Sequence, residues 1–554
     1  MKRILVLLLA ALLLCGCSAP AAQPSATATA PIPETVPAAI PETAEIPYES
    51  RFDSETVIRL TDSGMDVTGL NSLSVFGSHD IVYYEDKDTY ESGNPYGEGT
   101  DADKHTAEEA ERHYVVNITA PGAYRVTGRL PYGQIRIDLG EKADGDENAV
   151  VELILDNAEI GCTVAPAILF QNVYECDGDR KEDNATADVD TSAAGANLIL
   201  QGENTVTGSY VAKIFKDKEG EKKLWKQDGA IYSYMSMNVF GPGKLTLNAD
   251  NEGMDTELHL TVNGGDITIL SGNDGINTNE DGVSVTTVNA GRLHIVAGLG
   301  EEGDGIDSNG YLVINGGTVI SAAKPAADSG LDSDLGSFIH GGTVVALGAA
   351  MDWAESDSNQ VTVNLQFQEH QNGALQITAE SGEDIFAFDP ASDPVLKDYS
   401  RGFRGAVISC PVFRIGDRYE VCVSGTKMMY TGTDVMGHGP NPPGSMGPSK
   451  PEGEMPTWPE GEAPTMPEGW KPADGARPEK PEGFVGQTPP EDFGDREPPQ
   501  GFGEQMPAPP AGEIPGGGFG GGFGPGGEIP EGEGNTLFYM QDKVNFFSGI
   551  TAAK

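Results

Sequence analysis

The residues best suited to chemistry in this chain are acids at a fixed spacing. Asp255 and Glu257, then Asp274 and Asn277, then Asp304 and Asp307, then Asp328, Asp332 and Asp334 recur in a common setting. The setting is Asp-Gly-Ile-Asn-Thr-Asn at 274–279, Asp-Gly-Ile-Asp-Ser-Asn at 304–309, and Ser-Gly-Leu-Asp-Ser-Asp at 329–334. The related Glu-Gly-Met-Asp-Thr-Glu stands at 252–257. Residues two apart in an extended segment share a face. If the segments stack, Asp255, Asn277, Asp307 and Asp332 form one column, and Glu257, Asn279, Asn309 and Asp334 another. Carboxylates at strand spacing repel one another. A divalent cation that takes six to eight oxygens, amide and backbone carbonyls included, relieves that repulsion, and Ca²⁺ is the expected cofactor. The alternative is a solvated turn ladder, because Asn and Asp also suit left-handed turn positions. The expected metal ligands are Asp255, Glu257, Asp274, Asn277, Asp304, Asp307, Asp328, Asp332 and Asp334.

Catalysis is weighed on the same residues. A lyase would need a Lys or Arg base, and Arg292 and Lys324 are the candidates. An inverting hydrolase would need two carboxylates with room for a water, such as Asp307 and Asp332. Arg292 opens an ordinary strand, Lys324 precedes Pro325 in a loop, and the acids are repeat positions. No catalytic residue is therefore assigned. Trp353 and Tyr232 could stack on sugar rings or serve as core, and the carbohydrate contacts stay unassigned.

The elements that must position these acids are short strands. The first Gly of each unit falls at 229, 253, 275, 305 and 330, a spacing of 22 to 30 residues. Each unit has three β-rich segments. A second glycine-rich turn separates two of them: Gly241-Pro242-Gly243, Asn263-Gly264-Gly265, Asn289-Ala290-Gly291, Asn315-Gly316-Gly317 and His340-Gly341-Gly342. A period of this length marks a solenoid. Three segments per turn is the pattern of a right-handed parallel β-helix, with Ile, Met or Leu after the first Gly pointing inward. Past 355 the period stops, and the runs around 361–365, 374–377, 385–388, 406–409 and 419–424 alternate as antiparallel strands. They read as a cap on the open end. One short helix is expected at 106–112.

The segments from Gly133 to Ile160, Ala165-Pro166-Ala167-Ile168, Gly202-Glu203-Asn204 and the repeated Asp-Gly-Ile units resemble the bacterial carbohydrate-binding β-helix proteins first described from cellulolytic clostridia. The resemblance covers roughly 55–350 and implies a pectate-lyase-like β-helix with bound calcium. It further implies binding of plant cell-wall polysaccharide, acidic sugars included, without established catalysis. The long insertions and the proline-rich tail depart from that pattern.

Composition limits the partners. The chain has 554 residues with 35 Lys+Arg against 85 Asp+Glu, a formal charge of −50. Phosphate backbones would be repelled, so nucleic acid is excluded as a partner. The expected partner is a cellulose- or polygalacturonate-like polysaccharide. Met1-Lys2-Arg3, the apolar run to Leu14, and Leu14-Cys15-Gly16-Cys17 resemble a lipoprotein signal. Cys17 would carry the lipid (diacylglyceryl and palmitate) and hold the protein on the outer side of a bacterial cell membrane. An ordinary secretory signal is the alternative. Four cysteines remain, and Cys410 and Cys422 sit in runs that look like a hairpin able to carry a disulfide. Four free thiols are the alternative.

The expected organisation is therefore a signal at 1–16, a tether at 17–50, a carbohydrate-binding β-helix at 51–354 and a cap at 355–431. A Pro/Gly-rich disordered segment follows at 432–535, then an apolar segment at 536–554 that could dock on the body. The segment from 436 to 535 holds 22 of the 38 prolines and cannot bury enough apolar surface to order itself. A surface-anchored, calcium-dependent, non-catalytic polysaccharide binder is the expected function. A β-helix lyase or hydrolase, and an adhesin or scaffold, are the alternatives.

Overall fold

The computed structural model describes residues 46–84, 103–178, 185–214, 225–300, 302–325, 328–349, 352–399, 401–433 and 534–553. The expected signal, Cys17, most of the tether and the segment 434–533 lie outside the described residues.

The described residues are all-β apart from short helical turns. The expected helix is present as Ala107–Glu111 and is held by a capping box: Thr106 Oγ1 accepts from Glu109 N, and Glu109 Oε2 accepts from Thr106 N. Such reciprocal caps satisfy two otherwise orphaned amides.

Successive repeats add strands to three parallel runs, four strands in the first and five in each of the other two. In the first run, Gly229–Ser233, Glu252–Thr256, Ile276–Thr278 and Ile306–Ser308 lie side by side. In the second, Met237–Phe240, Leu260–Val262, Val285–Val288, Tyr311–Ile314 and Gly336–Ile339 pair in order. In the third, Lys244–Ala249, Asp266–Ser271, Arg292–Val296, Thr318–Ala322 and Thr343–Gly348 do the same. Segments 260–262 and 311–314 are thus parallel through the strand between them.

In-register pairing turns each sequence position into a column. Ile231, Met254, Ile276 and Ile306 stack in one column and are all fully buried. Leu245, Ile267, Leu293, Val319 and Val344 form a second apolar column. Alternation along Asp266–Ser271 puts every second residue inside. A fully buried aliphatic side chain contributes roughly 1.5–3 kcal/mol relative to exposure, so these columns dominate the stability of the body.

The second glycine of each turn forms a column too. Gly265, Gly291, Gly317 and Gly342 have φ of +94°, +84°, +78° and +83°. A Cβ on Gly317 would stand 2.8 Å from the carbonyl oxygen of Gly291.

The parallel third run ends against antiparallel strands. Phe403–Ser409 pairs antiparallel with both Thr343–Gly348 and Thr362–Gln371. Leu375–Ala379 pairs antiparallel with Asp384–Phe388 and Arg418–Val423. The C-terminal apolar segment joins this region. Val544–Ala552 runs parallel to Thr362–Gln371, and Phe538–Tyr539 pairs with Arg418–Val423. Phe538 and Phe547 pack on Tyr430 with centroids 4.9 and 4.8 Å away. Phe547→Ala should therefore cost about 3–5 kcal/mol, read as a shift of the denaturant midpoint. An unchanged midpoint would mean that this strand contributes nothing.

The hairpin expected around Cys410 and Cys422 is not formed. Phe403–Ser409 and Arg418–Val423 do not pair with each other, and each has other partners. Cys162, Cys176, Cys410 and Cys422 are all free thiols. Local spacing suggested a hairpin, but the non-local pairing of 403–409 with 343–348 and 362–371 supersedes it.

Candidate metal centre

The first parallel run carries the acids. Asp255 pairs in register with Asn277, and Asn277 with Asp307. Backbone bonds from Asp332 N to Ile306 O and from Ser308 N to Asp332 O extend the column one repeat further. The expected stacking of Asp255, Asn277, Asp307 and Asp332 is therefore the geometry observed.

Among the described residues, the tightest convergence lies at the early end of this run. Asp228, Glu252 and Asp255 bring carboxylate oxygens within 4.8 Å of one another, and all three residues are buried. Glu252 Oε2, Asp255 Oδ2 and Asn277 Oδ1 are buried without a hydrogen-bond partner. Asn277 Nδ2 donates to Glu252 Oε1 at 3.3 Å, and Asn279 Nδ2 donates to Asp255 Oδ1. Among the described residues one cation is paired with the trio: Lys226 Nζ stands 2.6 Å from Asp228 Oδ2. It balances one of three carboxylates. Burial, and then the charge of Asp255, push Glu252 well above the usual carboxylate range. Burial, and then the charge of Asp228, do the same to Asp255.

This donor set fits a hard divalent cation. It offers three carboxylates and a side-chain amide oxygen, and oxygen-only sites of this kind suit Ca²⁺. Unpaired buried carboxylate oxygens are costly, and a cation removes that cost.

The later acids form a looser group. Asp304 N donates to Asp274 Oδ1 at 2.7 Å, and Ser329 N donates to Asp304 Oδ1. Burial, and then Asp332, push Asp304 up to about 7. Burial also raises Asp274 and Asp307, and Asp274 adds to the rise at Asp307. Asp328 Oδ2 accepts from Gly303 N at 3.0 Å. Of the nine expected ligands, only Asp255 belongs to the tight trio. Glu257 takes the hydroxyl of Tyr232, and Asp334 is exposed.

Asp228 and Glu252 stand outside the expected ligand set. The unit that begins at Asp228 reads as degraded because Tyr232 replaces the repeat's acid or amide. Yet Gly229 pairs with Glu252, which places Asp228 just before the position of Glu252 in the neighbouring strand. The signal available was the Asp-Gly at 228–229, which matches the Asp-Gly of later units.

The other candidates are placed clearly. Trp353 is 7% exposed and Tyr232 fully buried, so neither offers a face to sugar. Arg292 lies in the third run between Asp266 and Thr318. Lys324 Nζ donates to the Gly300 carbonyl at 2.9 Å.

Residues 112–384 match the family described as "Carbohydrate-binding domain-containing protein". A protein of Acetivibrio thermocellus with that same description is 28% identical over 156 residues, which is 28% of this chain and 44% of the relative. The match therefore spans less than half of the relative's length. A solved structure titled as the polysaccharide lyase-like protein from C. thermocellum, gadolinium derivative, is 22% identical. That likeness covers 52% of this chain and 93% of the other, with a TM-score of 0.32.

Proposed function

We propose that this chain is a surface-anchored, non-catalytic polysaccharide-binding protein built on a right-handed parallel β-helix and stabilised by Ca²⁺. Cys17 would carry the lipid anchor on the outer side of the cell membrane. The observation that carries the calcium reading is the buried trio Asp228, Glu252 and Asp255 with its unpartnered oxygens. The carbohydrate reading is supported by the likeness of residues 112–384 to carbohydrate-binding domain proteins. The three in-register parallel runs support the β-helix.

The binder reading is preferred to the lyase reading on geometry. A lyase metal must reach the uronate of its substrate, whereas all three carboxylates of the trio are buried. Lys324, a candidate base, spends its ammonium on a loop carbonyl. Arg292 lies in the third run, whereas the trio lies in the first.

The test is retention with a product assay. The purified chain should be retained on polysaccharide in calcium buffer and release no unsaturated sugar absorbing in the ultraviolet. Appearance of that product would make it a lyase. No retention on cellulose or polygalacturonate would leave the adhesin or scaffold reading ahead.

A further inference from the structure

We propose that the outer face of the second parallel run is the glycan subsite, and that it takes a neutral, extended polysaccharide chain laid across the strands. The proposal rests on the polysaccharide-binding reading above and adds to it a place and a substrate class.

A groove of about 590 Å³ opens on this face. That volume lies within the usual range for small-ligand sites. Its floor follows from the register. Leu260, Val262, Val288, Leu312 and Ile314 point into the core. The alternate positions must face outward, and they stack as Asn238, Thr261, Thr287, Val313 and Phe338. Beside them runs an amide ladder. Asn289 Nδ2 donates to Asn263 Oδ1 at 2.9 Å, and Asn315 Nδ2 donates to Asn289 Oδ1 at 2.9 Å. A side-chain amide has two donors and two acceptor lone pairs. Each rung uses one N–H on its neighbour, which leaves hydrogen-bonding capacity facing the groove.

The spacing of this ladder suits a polymer. Successive strands lie ~4.8 Å apart, close to the advance of one hexose in an extended β-linked chain. Hydroxyls repeating once per sugar would meet amides repeating once per coil. An aromatic pair stands at one side: His340 lines the groove, and the Phe338 ring, on the next rung of the outward column, stacks on it at 6.2 Å and 27°. Such faces pack against the apolar side of a sugar ring. At the other side the segment 187–192 forms a wall, with Thr191 Oγ1 2.7 Å from both Asn238 Oδ1 and Thr261 Oγ1.

Charge selects the glycan. Asp188 and Asp190 line the wall, and among the described residues neither Lys nor Arg lines the groove. Burial, and then Lys543, hold His340 below its ordinary value. A uronate chain would be repelled by these carboxylates, whereas a neutral glucan carries no charge to be repelled and can use the amides and hydroxyls of the face. The acidic trio lies on the first run, so groove binding needs no metal contact.

The test is calorimetric titration of the full chain with cellohexaose in calcium buffer, beside oligogalacturonate. Asn315→Ala and Phe338→Ala should each weaken cellohexaose binding about tenfold, as expected when hydrogen bonds or a stacking face are lost. Asn315 is exposed, so its truncation leaves the fold intact, and an unchanged unfolding midpoint verifies this. If wild type binds cellohexaose and both variants bind it equally well, the subsite is overturned while the polysaccharide reading stands. Tighter binding of oligogalacturonate than of cellohexaose, weakened by the same variants, overturns the neutral-glycan class. If wild type binds neither sugar and is not retained on insoluble polysaccharide, the polysaccharide reading fails, and the subsite with it.

Discussion

Millimolar Ca²⁺ should raise the thermal unfolding midpoint of this protein relative to EDTA, and Asp255→Asn should remove much of that response. A ligand bound only by the folded state stabilises by RT ln(1 + [L]/Kd), about 2.7 kcal/mol per site at a hundredfold excess over Kd. The proposed site is the buried trio Asp228, Glu252 and Asp255, whose oxygens converge within 4.8 Å. The sign of the Asp255→Asn effect should depend on the buffer. In EDTA the substitution removes a buried charge that repels Asp228 and Glu252. An amide oxygen at 255 also still accepts from Asn279 Nδ2. Stability in EDTA should thus equal or exceed that of the wild type. In calcium the variant has lost a charged ligand and should be the less stable of the two. Glu252→Gln should behave alike, because Glu252 Oε2 has no hydrogen-bond partner. Scanning calorimetry of wild type and variants in both buffers reads the crossover. Equal midpoints for the wild type in calcium and in EDTA would reduce the column to turn chemistry, with Lys226 as its cation.

Much of this arrangement was legible in the sequence because in-register parallel stacking converts spacing into geometry. Once Asp274, Asp304 and Ser329 are aligned, the register that joins Asn277 to Asp307 follows, and so does the buried column of Met254, Ile276 and Ile306. The cluster itself was only half legible. Asp255 and Asn277 belong to the repeat, whereas Asp228 comes from a unit whose later positions have drifted. Its role depends on Gly229 pairing with Glu252, a register that a weak repeat signals poorly. Glu257 shows the opposite failure. It sits at a repeat position, but Tyr232 on the neighbouring strand takes its carboxylate. The groove was not legible at all. The outward column from Asn238 to Phe338 changes residue type at nearly every rung, and its wall comes from 187–192, far away in sequence. Non-local pairing also misled the reading of Cys410 and Cys422, where proximity along the chain imitated a hairpin.

The body's register depends most sharply on its glycine column, and Gly317→Val should damage folding more than truncation of a single core side chain. Two costs add at this position. A β-branched residue at φ +78° occupies a region that L-residues other than Gly, Asn and Asp rarely enter, and strain of this kind costs about 1–3 kcal/mol. In addition, the new Cβ would stand 2.8 Å from the Gly291 carbonyl oxygen and about as close to the Ala290 backbone, with contacts at 3.1 and 3.2 Å. These are backbone atoms of the neighbouring coil, so no side chain can rotate out of the way. Relief requires the two coils to separate, which strains the pairing of Arg292–Val296 with Thr318–Ala322 and the backbone bond from Thr318 N to Gly291 O. A total of about 3 kcal/mol or more is expected, seen as a lowered denaturant midpoint or as loss of soluble protein. Gly316→Ala is a weaker companion, since Gly316 lacks the positive φ but its Cβ would meet the Asn289 carbonyl oxygen at 2.4 Å. Gly140→Ala is the control: it carries a positive φ of +97° and has nothing within 4 Å of the added Cβ. It should cost only the backbone strain. If Gly317→Val and Gly140→Ala destabilise equally, the coils are not held at the contact distance that this column requires.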